Sequence, residues 1–192
     1  MRAKLTTILL ATRNDHKVRE FERLLPGIEV EPLPAHLDSP EETGDTYAEN
    51  ALIKARAAAL ATGRMAVADD SGIEASALNG APGVYSARFA GEDATDSENL
   101  NLLIEQAPAG SGLEYVCVIA VVDPTTGLER TLEGRCAGTM AASPAGGGGF
   151  GYDPVFVPAG RDDGLTMAEL DDTEKDAISH RGIAARRLLD AL

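Results

Sequence analysis

Hydrophobic and polar positions alternate along this chain with two different rhythms. Thr7 to Ala11 (TILLA) is a short continuous apolar run, the pattern of a strand buried at the centre of a sheet. Val18, Phe21, Leu24 and Leu25 then recur at helical spacing, with Asn14 or Asp15 available as a cap and Pro26-Gly27 as a stop. Ile28 to Leu33 reads as a second strand. The best-signalled helix follows. Thr46-x-x-Glu49 is a capping box, the interior from Tyr47 to Thr62 is rich in alanine, and Gly63 sits at the C-cap.

Met65 to Ala68 is apolar and is followed at once by Asp69-Asp70-Ser71-Gly72, which predicts a strand ending in a turn. Ala81 to Arg88 (APGVYSAR) reads as a rigid loop punctuated by Pro and Gly. Thr95-x-x-Glu98 opens another capped helix, with Leu100, Leu103 and Ile104 expected on its inner face. The rhythm then changes. Leu113 to Val122 is long, apolar and β-branched, and Leu128–Glu133 and Arg135–Ala142 continue as antiparallel strands. A short capped turn, Thr166-x-x-Glu169, precedes a last helix after Ser179, with Ile183, Ala184, Leu188 and Ala191 inward. The first half alternates strand and helix, the second is a meander, and no internal repeat is visible. The fold class expected is α/β: a long mixed sheet flanked by helices.

At 192 residues the chain is long enough for a proper core, either as one large domain or as two tightly joined lobes. The formal net charge of −14 changes the picture more than the length does. Long-range repulsion argues against nucleic acid or an anionic membrane as partner, and it requires any small anionic substrate to meet a local focus of basic groups. Cys117 and Cys136 fit no metal-ligand spacing, and Cys117 is expected as a buried thiol. No signal peptide and no membrane-spanning run is recognised, so a cytoplasmic protein with reduced thiols is expected.

Three stretches carry candidate chemistry. Thr12-Arg13-Asn14-Asp15-His16-Lys17 lies between a strand and a helix start, where free N–H groups and the helix dipole favour a phosphate. It lacks the G-x-x-x-x-G-K-[ST] pattern, and a plain turn with surface cations reads equally well. Asn50 and Lys54 share a helix face, which serves either a ligand or solvent. In Ala145–Asp153 (AGGGGFGYD), three glycines match G-x-G-x-x-G formally, but a strand rather than a helix is expected next, so a dinucleotide fingerprint is rejected. Phe150 and Tyr152 stand out there in a chain only 4% aromatic, and a ring beside glycines offers a base something to stack on. His180 and Arg181 in the first turn of a helix oppose its dipole, a local rule broken most often at functional sites. With Lys175 they form the basic focus that the net charge requires.

Together these segments resemble the inosine triphosphate pyrophosphatase family. The resemblance rests on LLATRNDHK (Leu9 to Lys17), EETGDTYAENALIKA (Glu41 to Ala55), ADDSGIEASALNGAPGVYSARFAG, GGFGYDPVF (Gly148 to Phe156) and EKDAISHRG (Glu174 to Gly182), in order through nearly the whole chain. One departure stands out: where the family usually reads T-G-N-x-G-K, Arg13 and His16 replace both glycines. The resemblance implies one domain over residues 1–192, in two lobes with the active cleft between them, and commonly a homodimer. It implies Mg²⁺-dependent hydrolysis of ITP, dITP and XTP to the nucleoside monophosphate and pyrophosphate, which cleans the nucleotide pool of deaminated purines.

By the same resemblance Glu41 and Asp70 lie at the metal, and Asp70 is the general base for the attacking water or its orienter, with Asp69 in support. Thr12, Arg13, Asn14, Asp15, His16, Lys17, Lys54, Ser71, Phe150, Gly151, Tyr152, Asp153, Lys175, His180 and Arg181 are the substrate-binding residues. Lys17, Lys54 and Lys175 would offset phosphoryl charge, Phe150 would stack on the base, and His180 and Arg181 would donate to its 6-oxo group. The alternatives are a non-catalytic nucleotide sensor and a pyrophosphatase for other modified nucleotides.

Overall fold

The computed structural model describes residues 7–192. Six strands form one mixed sheet in the order β2-β1-β3-β4-β5-β6. β1 (Thr7–Leu10) pairs in parallel with β2 (Glu29–Pro32) and with β3 (Ala66–Ala75), whereas β5 (Leu128–Met140) pairs antiparallel with β6 (Phe156–Pro158). β4 (Gly112–Asp123) stands between β3 and β5. The helices are α1 (Asp15–Leu24), α2 (Tyr47–Thr62), α3 (Asp96–Gln106), α4 (Asp172–Ile178) and α5 (His180–Ala191). The α/β expectation holds. Among the described residues no helix is long and apolar enough to cross a membrane.

The helix starts follow their caps. The Asn14 side chain accepts from the N–H groups of His16 and Lys17, and Thr46, Thr95 and Asp171 each form a complete capping box with Glu49, Glu98 and Glu174. Each such cap satisfies donors that the first turn leaves orphaned, worth about 1 kcal/mol apiece. Gly63 closes α2 in the left-handed region, at φ 65°.

The described residues divide into two compact units, 7–70, 117–134 and 182–192 in the first, 71–116 and 135–181 in the second. In the first unit, Ile8 and Leu10 of β1, Val67 of β3 and Cys117, Ile119 and Val121 of β4 pack with Phe21 and Leu24 of α1 and Ala184 and Leu188 of α5. In the second, Ile73, Leu103, Tyr115, Cys136, Met140, Phe156 and Met167 form a separate core. Both cysteines are buried thiols, and burial pushes the Cys136 thiol up to about 11, so it is held as an inert thiol.

Four expectations about elements need correction. β3 does not end at Asp69-Asp70; it runs through Ser71-Gly72 to Ala75, so both aspartates lie inside a strand. Leu128–Glu133 and Arg135–Ala142 are one continuous strand, β5, because Gly134 takes a buried β position without a break. Gly83–Arg88 is a short 3₁₀ helix rather than a loop. Ile104 is exposed; its neighbour on the inner face of α3 is Asn99, whose amide accepts from Ala90 N–H and donates to Ala87 C=O.

Candidate active site

The expected site residues fall into two clusters, one in each unit. In the first unit, β3 delivers Asp69 and Asp70, both buried. Successive residues of a strand point to opposite faces, and the two aspartates accordingly take different partners. Asp69 pairs with Lys17 of α1 at 3.0 Å, and Asp70 lies 3.5 Å from Lys54 of α2. Lys54 also reaches Glu42 at 2.6 Å. Asp69, Asp70 and Glu42 thus gather around Lys17 and Lys54 in one cluster.

Burial pushes the Asp70 carboxyl above its ordinary value; Lys54 pulls it down, Glu42 pushes it up, Lys17 pulls down and Asp69 pushes up, and the net direction is upward. For Lys54, burial works downward, but the fields of Asp70, Asp69 and Glu42 outweigh it, so its ammonium is held more firmly than usual. Lys54 and Asn50 do not form a wet face. Both are buried, and Asn50 Oδ1 accepts the Gly44 N–H at 2.8 Å, tying the acidic Glu41–Gly44 segment to the start of α2. Gly44 has no room for a side chain: a Cβ would lie 2.8 Å from Asn50 Oδ1 and 2.6 Å from Glu49 Cβ.

Glu41, expected at the metal, is exposed, and its neighbour Glu42 carries the contact with Lys54. Both lie in one acidic pair, and only the fold distinguishes them. Among the described residues no group of three or more His, Cys, Asp or Glu side chains is placed to hold a metal ion. The donor chemistry fits a hard divalent cation of the kind held by one or two carboxylates and completed by water and substrate phosphate.

In the Thr12–Lys17 turn, the chain's own side chains take the first N–H groups. Asn14 Oδ1 takes the N–H groups of His16 (2.9 Å) and Lys17 (3.2 Å), and Thr12 Oγ1 takes that of Asn14. Arg13 reaches away to the carbonyls of Ala35 (3.2 Å) and Leu37, clamping the segment after β2. Asp15 and His16 are exposed at the start of α1. Lys17 of this turn forms an ion pair with Asp69 of β3.

The second cluster, in the other unit, surrounds Phe150. Lys175 Nζ lies 5.2 Å and Arg181 Cζ 5.7 Å from the centroid of its ring, both within cation–π range. Arg181 donates to Ser71 Oγ at 2.8 Å. Asp153 is the hub: Oδ2 accepts from Lys175 Nζ (2.8 Å) and from Phe150 N–H (3.0 Å), while Oδ1 accepts from the Tyr115 hydroxyl (3.0 Å). Gly149, at φ 68°, backs directly onto this carboxylate, which a Cβ there would overlap. Gly151 N–H donates to Asp96 of α3, and the Tyr152 hydroxyl donates to Ser86 C=O at 2.7 Å. Lys175, expected to offset phosphoryl charge, sits in this cluster. Its ammonium is paired with buried Asp153 beside an aromatic ring.

Tyr115 was not among the expected residues. It stands in the apolar run of β4, where a tyrosine reads as core, and no local motif marks it. Glu42 and Asp96 escaped for the opposite reason, because each sits in an acidic stretch that reads as solvated surface.

An α/β fold with a buried carboxylate–lysine cluster and a buried aromatic–cation cluster narrows the class of protein considerably, and comparison with known proteins completes the assignment. The sequence profile of the Ham1 family matches residues 8–191, and the chain belongs to that family. A "dITP/XTP pyrophosphatase" of Streptomyces coelicolor is 47% identical over 96% of both chains, and a protein of the same name from Escherichia coli K12 is 47% identical over 96% of this chain and 97% of its own. Among solved structures, a HAM1 protein from Coxiella burnetii superposes with a TM-score of 0.84 at 41% identity, covering 97% of this chain and 98% of that one. A "nucleoside-triphosphatase / dITP/XTP pyrophosphatase" from Mycobacterium abscessus gives 0.72 at 45% identity over 97% and 99%. The resemblance drawn from the five motifs is borne out.

Proposed function

We propose that this chain hydrolyses non-standard purine nucleoside triphosphates, dITP, XTP and ITP, to the nucleoside monophosphate and pyrophosphate, and so removes deaminated purines from the nucleotide pool. One observation of the molecule carries the reading: Asp70 is a buried carboxylate set beside Lys54 and Glu42 with its pKa raised, the direction that suits a general base at neutral pH. Its relatives of nearly equal length, named for the same reaction, support it.

Asp70 accepts the proton of the water that cleaves the α–β anhydride. Lys54 and Lys17 supply positive charge to the phosphate oxygens, where preorganised donors gain most as charge develops. Asp69 holds Lys17 in place. Mg²⁺ is the proposed cofactor, with Asp70 and the Glu41–Glu42 pair as its carboxylate donors; when bound it supplies Lewis-acid charge to the phosphates. In the other unit, Phe150 stacks on the purine, and Lys175, His180 and Arg181 supply donors to the 6-oxo group. An adenine would present its amine to those donors, leaving them unpaired, which is the kind of mismatch that rejects a substrate strongly. Ser71, Gly151, Tyr152 and Asp153 shape this pocket, and Thr12 to His16 complete the phosphate side. The chain works as a single pyrophosphatase domain over residues 1–192, as a homodimer in the cytoplasm.

The test is pyrophosphate release from dITP, XTP, dGTP and dATP, with Mg²⁺ and with EDTA. Mg²⁺-dependent release from dITP and XTP, with monophosphate as co-product, is the expected result. Orthophosphate as the first product, or equal rates on dATP, would overturn it.

A further inference from the structure

We infer that Tyr115 is a positioning residue for purine discrimination: its hydroxyl holds Asp153, and its ring backs His180, so that one buried side chain sets two members of the Phe150 cluster. The inference rests on the reading above that this cluster receives the base.

Tyr115 comes from β4, is 6% exposed, and packs against two aromatic neighbours. Its ring lies parallel to that of His180, centroids 4.5 Å apart and planes 7° apart, and tilted at 40° to Phe156, also at 4.5 Å. A ring held this way has little freedom, so its hydroxyl points in a defined direction. That direction is Asp153 Oδ1, 3.0 Å away. Burial and the Asp153 charge push the phenol well above its ordinary value, so it remains a donor at any working pH.

The consequence reaches the base side through Asp153. Its other oxygen holds Lys175 and the Phe150 N–H. A carboxylate gripped through Oδ2 alone can turn about its Cβ–Cγ bond, and turning it carries the Lys175 ammonium and the Phe150 backbone with it. With Tyr115 in place, the second oxygen is pinned and the rotation is blocked. Removing that donor leaves a buried carboxylate oxygen short of a partner, whose usual penalty equals roughly a 10- to 100-fold change in an equilibrium. The geometry of the donors around a 6-oxo group is what suffers, and a base without that group depends on it less.

The experiment compares wild type with Tyr115→Phe, which keeps the ring stack and removes only the hydroxyl. Calorimetry measures the affinities of α,β-methylene dITP and α,β-methylene dATP, which bind without being cleaved, so the result does not depend on turnover. Wild type is expected to prefer the dITP analogue; Y115F is expected to narrow that preference by about tenfold or more, with dATP-analogue affinity little changed and the melting temperature somewhat lowered by the orphaned oxygen. A preference unchanged in Y115F, or affinities for both analogues lowered by one factor, would overturn the role given to Tyr115. Absence of turnover in wild type, with the binding preference present and lost in Y115F, would sink the pyrophosphatase reading and leave Tyr115 standing. Should Y115F not fold, 3-fluorotyrosine at position 115 keeps the hydroxyl and lowers its pKa. That makes it a stronger donor to Asp153 while it stays protonated, so the preference for the dITP analogue should be kept or widened, and a narrowed preference would overturn the inference.

Discussion

At the scale of single residues, the two neighbouring aspartates show how a strand makes different groups of identical side chains. Asp69 is paired closely with Lys17, at 3.0 Å, whereas Asp70 lies 3.5 Å from Lys54, which leans toward Glu42 at 2.6 Å. For Asp70, the cost of burial outweighs the pull of Lys54 and Lys17. Its folded pKa is raised above the ordinary 3.8, so the folded chain holds its proton more tightly than the unfolded chain does. Its contribution to stability is complete below 3.8 and is lost as pH rises through the folded value, which makes ionised Asp70 a liability at neutral pH. Asp70→Asn should thus melt at a higher temperature than wild type at pH 7 in metal-free buffer, with the gap closing as pH falls below about 4. The same substitution should lower kcat by about 10²–10⁴-fold, the usual worth of a general base. Thermal melts at both pH values and dITP turnover check the pair of effects. A lower melting temperature at pH 7 would show that Asp70 is better compensated than this geometry indicates.

At the scale of elements, caps were legible and continuity was not. Thr46, Thr95 and Asp171 or their boxes announce helix starts through local chemistry, and α2 begins and ends where Thr46 and Gly63 say. Asp69-Asp70-Ser71-Gly72 has the composition of a turn, yet β3 continues through it, with β4 its neighbour in the sheet and Lys17 and Lys54 set against its two aspartates. Partners distant in sequence override local preference there. The Asn50–Lys54 face was ambiguous for the same reason, since only tertiary packing decides whether an amide meets water or the Gly44 N–H. That contact makes the Glu41–Gly44 segment an extension of α2. Gly44→Ala would drive a Cβ to within 2.6 Å of Glu49 Cβ and 2.8 Å of Asn50 Oδ1, breaking the tie. A destabilisation of about 1–3 kcal/mol is expected from such overpacking. With Glu42 displaced from Lys54, the Mg²⁺ concentration for half-maximal activity should rise as well. Denaturant unfolding and a Mg²⁺ titration measure the two; a variant weaker in stability but identical in Mg²⁺ response would confine Gly44 to a structural part.

At the scale of the whole molecule, a net charge of −14 must coexist with a polyanionic substrate. A basic focus was anticipated from Lys175, His180 and Arg181, and those residues are indeed buried together in one unit. Lys175 is neutralised by Asp153, however, and Lys17 and Lys54 are paired with Asp69, Asp70 and Glu42. These cations act at contact range, where a desolvated charge retains its strength, and offer little attraction at a distance. The long-range field remains repulsive, and it is this part that salt screens, with a Debye length of about 30 Å at 0.01 M and about 8 Å at 0.15 M. Raising KCl from 10 to 150 mM at constant excess Mg²⁺ should therefore raise kcat/KM for dITP modestly, about two- to threefold, and leave kcat nearly unchanged. An enzyme that steers its substrate with a basic surface shows the opposite slope. If kcat/KM falls with salt instead, an attractive patch must dominate the encounter, and the exposed Arg13 and His16 at the start of α1, standing where the family carries glycines, would be the first residues to neutralise.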